Sequence, residues 1–132
     1  MRSLLPALMA TLVLAGCGSD EPSPASSGNS DLADLTITVD ADGEGGNPPK
    51  TMQLTCKEPT DSQACGAAAG ISAADLAPTE PGTACTQVYG GPETATIKGT
   101  IRGDEVDASF SRSDGCEIER WAKVEPLLSQ VT

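Results

Sequence analysis

Four cysteines, Cys56, Cys65, Cys85 and Cys116, set the tightest limit on what this chain can fold into. Phenylalanine, tyrosine and tryptophan occur once each, so the core has to be built from small and medium aliphatic side chains. A core of that kind in a domain this short is marginal, and covalent cross-links are the usual remedy. Four cysteines allow three pairings, and their spacing alone does not choose among them.

A fifth cysteine lies far from these. Cys17 follows Arg2 and an apolar run from Leu4 to Gly16, too short to span a bilayer as a mature helix and shaped like a signal peptide, residues 1–16. The sequence Leu14-Ala15-Gly16-Cys17 resembles the lipobox of bacterial lipoproteins. The resemblance implies export, cleavage before Cys17 and lipidation of Cys17, which anchors the chain on the outer face of the cell membrane; the alternative is an ordinary signal peptide with Cys17 as a stray thiol. Two or three acyl chains hold a protein on a membrane stably. Residues 17–30 then form the lipid-anchored linker: Gly18 to Ser30 is polar, rich in Pro, Ser and Gly, and without apolar periodicity, a disordered tether with a reach of about 20 Å.

All 19 acidic residues follow Cys17, against all of the 8 basic residues except Arg2, a formal charge of −12 for that part of the chain. Such a charge disfavours nucleic acid and anionic surfaces, and its plain reading is solubility. There is no histidine. The serines have no evident base, the carboxylates are scattered through turns and strand edges, and the cysteines lack close pairs, so neither an enzyme nor a zinc site is expected. No cofactor is implied.

Within residues 31–132 the patterning predicts an α+β domain. Leu35 to Val39 alternates apolar and β-branched polar residues, and Lys50 to Cys56 is extended again beyond the turn formers from Asp40 to Pro49, which makes a hairpin. Asp40, Asp42 and Glu44 have the opening spacing of a calcium loop, but its twelfth position is Thr51 rather than glutamate, so a solvated turn is expected. Asp61-Ser62 caps an Ala-rich helix over Gln63 to Ala69 that Gly70 can end, and Ser72 to Asp75 has capping-box spacing. Pro78, Pro81 and Gly82 force an extended approach to Cys85. The stretch Thr83 to Pro92 then reads as a held, exposed strand.

Thr94 to Ile101 and Val106 to Ser111 flank Arg102-Gly103-Asp104-Glu105 as a second hairpin, apolar on the face of Ile97, Ile101, Val106, Ala108 and Phe110. Asp114 and Glu117 cap a helix through Lys123 that places Ile118, Trp121, Ala122 and Glu125 at helical spacing. Ile118 and Trp121 are expected to cover the apolar sheet face, and Pro126 to stop the helix.

The order Leu54-Thr55-Cys56, Ala64-Cys65, Cys85-Thr86-Gln87-Val88-Tyr89, hairpin, Asp114-Gly115-Cys116-Glu117-Ile118 resembles the Streptomyces subtilisin inhibitor-like family of serine protease inhibitors. The likeness runs from about Leu35 to Trp121. It implies an antiparallel sheet of about five strands packed with two helices, disulfides Cys56–Cys65 and Cys85–Cys116, and often a homodimer. It also implies a reactive bond Gln87–Val88, with Gln87 entering the protease's primary pocket, Val88 and Tyr89 on the leaving side, and Ala84, Cys85 and Thr86 lining the approach.

The implied partner is a serine protease. Gln87 is long, neutral and polar, which suits a broad subtilisin-like pocket better than one with a buried Asp or a deep apolar slot. The chain departs from the family at Thr86, where proline is common, and in Lys123 to Thr132, which is not a short aromatic end. The rival reading is a non-inhibitory binding lipoprotein on the same scaffold, since fold does not carry function with it.

Overall fold

In the computed structural model, which describes residues 31–131, the pattern of alternation becomes a sheet with one dry face. The expected leader, the lipidation site Cys17 and the linker to Ser30 lie outside the described residues. Strands β1 (Ala33–Asp40) and β2 (Lys50–Cys56) form the first hairpin, and β3 (Thr94–Ile101) and β4 (Asp104–Phe110) the second. The hairpins join through β1 and β3, giving the antiparallel order β2-β1-β3-β4.

Register explains why β1 sits in the middle. Its inward residues Ala33, Leu35 and Ile37 are all buried, and each meets a partner on both sides: Ile37 lies opposite Met52 and Ile97, Ala33 opposite Cys56 and Ile101. Leu35 meets Leu54 on one side and Gly99 on the other. Gly99 has φ +134°, and a Cβ built on it would stand 2.0 Å from the Asp34 carbonyl oxygen, so only glycine lets β3 lie this close to β1. The outward residues are mostly hydroxyl-bearing; Thr51, Thr38, Thr96 and Ser109 fall at one register position across all four strands.

Helix α1 (Gln63–Ala69) and helix α2 (Gly115–Leu128), with a single 3₁₀ turn at Ala73–Leu76, cover the apolar face. Ser62 caps α1 by accepting the Cys65 N–H at 3.1 Å. The Asp75 carboxylate takes the Ser72 hydroxyl at 2.7 Å and the Ser72 amide at 2.9 Å, and these two bonds, the hydroxyl foremost, hold its pKa below the usual carboxylate value. Arg102, at φ 49° in the two-residue turn with Gly103, donates to the carbonyls of Ala69 and Ile71. The second hairpin therefore closes over the end of α1, through a tighter turn than the four residues expected.

Other expectations change as well. The sheet has four strands rather than about five, because the backbone of Thr83–Pro92 bonds to Gly115 at the start of α2 and to Arg112 in the chain before it instead of to a sheet edge. Pro126 lies inside α2, which runs on to Leu128. An interior proline costs about 3 kcal/mol, but ending the helix would strip out the buried Leu127 and Leu128, worth about 1.5–3 kcal/mol each. The buried stripe is accordingly Trp121, Val124, Leu127 and Leu128, while Ala122 and Glu125 face outward. The calcium-like spacing is a turn tied by its own side chains: Asp40 accepts the Asp42 amide, and Asp42 Oδ2 accepts the amide and side chain of Asn47, while Asp42 Oδ1 has no partner among the described residues.

The disulfides are Cys56–Cys65 and Cys85–Cys116, with Cα–Cα distances of 5.6 and 5.4 Å. Their sequence separations are 9 and 31 residues, loops whose closure is worth about 2.7 and about 3.7 kcal/mol of denatured-chain entropy. For a core without a second large aromatic pair that is a sizeable share of net stability. The sheet is tested at its closest approach: Gly99→Ala should lower unfolding stability in urea by about 2–4 kcal/mol, far above an ordinary strand Gly→Ala change.

Candidate functional site

The segment from Pro78 to Glu93 leaves the 3₁₀ turn, crosses the start of α2 and returns as β3. A turn shapes its approach, with the Thr83 amide and hydroxyl both donating to the Glu80 carbonyl, at 3.2 and 2.7 Å. Gly82, at φ +86°, makes that reversal possible. Beyond it, Ala84, Thr86, Gln87, Val88 and Tyr89 are exposed and Cys85 is half-buried. Among the described residues, Val88 and Tyr89 are the large apolar side chains left exposed, at 56% and 67%, while the other bulky ones are buried or half-buried. The two are adjacent in sequence and sit at the exposed middle of the segment.

The segment is fixed to α2 from both sides. Cys85 is bonded to Cys116 in the first turn of the helix. One residue on, the Thr86 carbonyl accepts the Gly115 N–H at 2.9 Å. On the other side the Gly90 N–H donates to the Arg112 carbonyl at 2.7 Å, and Gly90 packs so tightly on Ile118 that a Cβ there would stand 3.0 Å from the isoleucine side chain. All of Ala84 to Tyr89 keeps negative φ, so this is unstrained chain held by its surroundings.

The foundation for these ties is the N-terminus of α2. Asp114 caps it by accepting the Glu117 N–H at 3.0 Å, as its spacing predicts. Glu117 in turn holds Arg120 at 2.8 and 2.9 Å, and Arg120 donates to the carbonyls of Ala77 and Leu76 at 3.0 and 3.3 Å while its guanidinium lies 4.7 Å above the Phe110 ring. One cation therefore joins the helix, the chain leading into the loop and the sheet. The pair is largely shielded, so its geometry is not lost to solvent motion.

Cys85, Asp114 and Cys116 place three potential ligand atoms within 4.8 Å of one another, but the two sulfurs are spent on each other and Asp114 is engaged as the cap. The disulfide joins the loop to the helix, and Gln87 and Val88 stand between the two anchored ends. Gly115, Arg112, Glu93 and Arg120 are support residues that sequence patterning does not single out. Each acts on a neighbour distant in the chain, and only Gly115, squeezed between a cap and a cysteine, and Arg120, three residues from Glu117, carry a local hint.

The closeness of Gly115 to Thr86 is testable. An added Cβ would stand 2.0 Å from the threonine Oγ1. Gly115→Ala should cost about 1–2 kcal/mol, and adding Thr86→Ala should recover most of it, a non-additive pair in a urea-unfolding cycle. No family model, curated protein or solved structure matches this chain.

Proposed function

We propose that this chain is an extracytoplasmic serine protease inhibitor, anchored to the membrane through lipid on Cys17 and acting by substrate-like insertion of Cys85–Tyr89 with Gln87–Val88 as its reactive bond. The observation that carries the reading is an exposed segment, outside the sheet, tied on both sides of one central dipeptide. It is not an enzyme on this reading. It offers a bond to one.

A protease binds its substrate in extended form, and a free peptide loses chain entropy in adopting that form. Here the ordering is done in advance by the Cys85–Cys116 bond and the Gly115 and Gly90 hydrogen bonds. Binding is tight because little remains to be ordered. When the protease serine attacks the Gln87 carbonyl, the tied loop keeps the Val88 amine close, so religation competes with water. Gln87 fits a broad subtilisin-like pocket, and the displayed Val88 and Tyr89 supply apolar contact on the leaving side.

Protein beginning at Asp31 contains every core residue of the fold and suits a titration against subtilisin and trypsin. Tight inhibition of subtilisin with slow nicking after Gln87 is the expected result, and Gln87→Lys should add inhibition of trypsin. Replacing Cys85 and Cys116 together by alanine should turn the loop into an ordinary substrate. Cleavage elsewhere without inhibition would sink the proposal and leave a binding lipoprotein. The anchor has its own assay: Cys17→Ser should move the full-length protein from the membrane fraction to the soluble one, and retention on membranes would refute lipidation at Cys17.

A further inference from the structure

The two sides of the Gln87–Val88 bond are held by different means. On the acyl side the hold is covalent, two residues back at Cys85. On the leaving side there is no cross-link, and the first fixed point is Gly90, two residues on. Gly90 is held by Arg112 through its main chain, N–H to carbonyl at 2.7 Å. Arg112 reaches the same segment a second time through its side chain, whose guanidinium meets the Glu93 carboxylate at 3.2 Å.

We infer that Arg112, steered by Glu93, is the positioning residue for the leaving side of the loop, a clamp that fixes Gly90 and so keeps the Val88 amine in place once the bond is cut. One residue grips the chain at 90 and again at 93, and between them lie Gly91, at φ +144°, and Pro92. Consecutive glycines give this stretch the freest backbone around the site, so its order has to come from attachments rather than from its own preferences. The Arg112 and Glu93 side chains are 33% and 30% exposed, they meet through Nη1 and Oε1, and the guanidinium Nε and carboxylate Oε2 are buried without a hydrogen-bond partner among the described residues. Each charge is answered chiefly by the other, and removing one leaves a half-shielded charge that turns outward and takes the segment with it.

The consequence for inhibition rests on the proposed function. Attack by the protease serine forms an ester to the Gln87 carbonyl carbon and breaks the bond to the Val88 nitrogen, which takes up a proton as it leaves. Religation is the reverse: the Val88 amine attacks the ester, the amide bond re-forms, and the serine oxygen regains its proton. The covalent side cannot drift away, so the lifetime of the intermediate is decided by how long Gly90 holds the amine within reach.

The test uses the full-length protein in detergent micelles as wild type, Arg112→Met, Arg112→Lys, Glu93→Gln and the Arg112→Met/Glu93→Gln pair. Amide hydrogen exchange is read at Gly90, with Gly115 on the acyl side as the internal control. The expected result is exchange about tenfold or more faster at Gly90 alone in Arg112→Met and in Glu93→Gln, no further gain in the pair, and an intermediate effect for Arg112→Lys. With subtilisin, Arg112→Met and Glu93→Gln should keep the wild-type association rate but be hydrolysed at Gln87–Val88 about tenfold to a hundredfold faster. Unchanged exchange at Gly90, or equal acceleration at Gly90 and Gly115, overturns the clamp. Faster exchange with unchanged hydrolysis overturns its role in religation. Selective loosening of Gly90 in a protein that does not inhibit subtilisin supports the clamp and refutes the inhibitor reading instead.

Discussion

The bond between Cys85 and Cys116 joins a surface segment to the first turn of α2, and the rest of the molecule makes that turn a fixed platform. The far end of the same helix supplies Val124, Leu127 and Leu128 to the core. A displacement of the loop therefore has to move a helix whose apolar face is already committed, and that commitment is worth several kcal/mol. The cross-link is effective because of where its second end is planted. The same disulfide between two mobile loops would tie them to each other and to nothing else.

With few large side chains available, the fold makes unusual use of arginine. Arg102 satisfies carbonyls at the end of α1, Arg112 bridges the chain leaving β4 to the segment leading into β3, and Arg120 joins α2, the 3₁₀ turn and the Phe110 ring. In each case a planar, many-donor cation reaches across a junction between elements where aliphatic bulk would otherwise be needed. Against a formal charge of −11 these three cations are a large fraction of the positive charge, and each is placed where it organises backbone.

How much of this could be read beforehand follows the range of each interaction. Both hairpins, the Ser62 cap, the Ser72–Asp75 box and the Asp114 cap depend on residues a few positions apart, and the alternation and spacing in those stretches announce them. Pro126 misleads because its local cost is visible while the burial of Leu127 and Leu128 that outweighs it depends on the whole core. Thr83–Pro92 has strand-like composition but finds its hydrogen-bond partners at Arg112 and Gly115, so no fifth strand forms. The disulfide pairing came through a family resemblance, not from spacing. The clamps at Arg112 and Arg120 join residues far apart in sequence, where no short pattern exists to be recognised.

The strand order has a consequence for how the chain reaches this state. β1 comes first in the described chain yet becomes an inner strand, with Ala33 opposite Ile101 and Asp40 opposite Thr94. Those pairings close the longest loops in the sheet, whereas β3, β4 and the Cys85–Cys116 bond all fall within one short stretch of sequence. Contacts within such a stretch carry a smaller closure entropy, and docking of the first hairpin onto β3 carries the larger one. The displayed loop thus belongs to the sequence-local half of the molecule, while the α2 platform that fixes it packs into a core that includes Leu35 and Ile37 of β1.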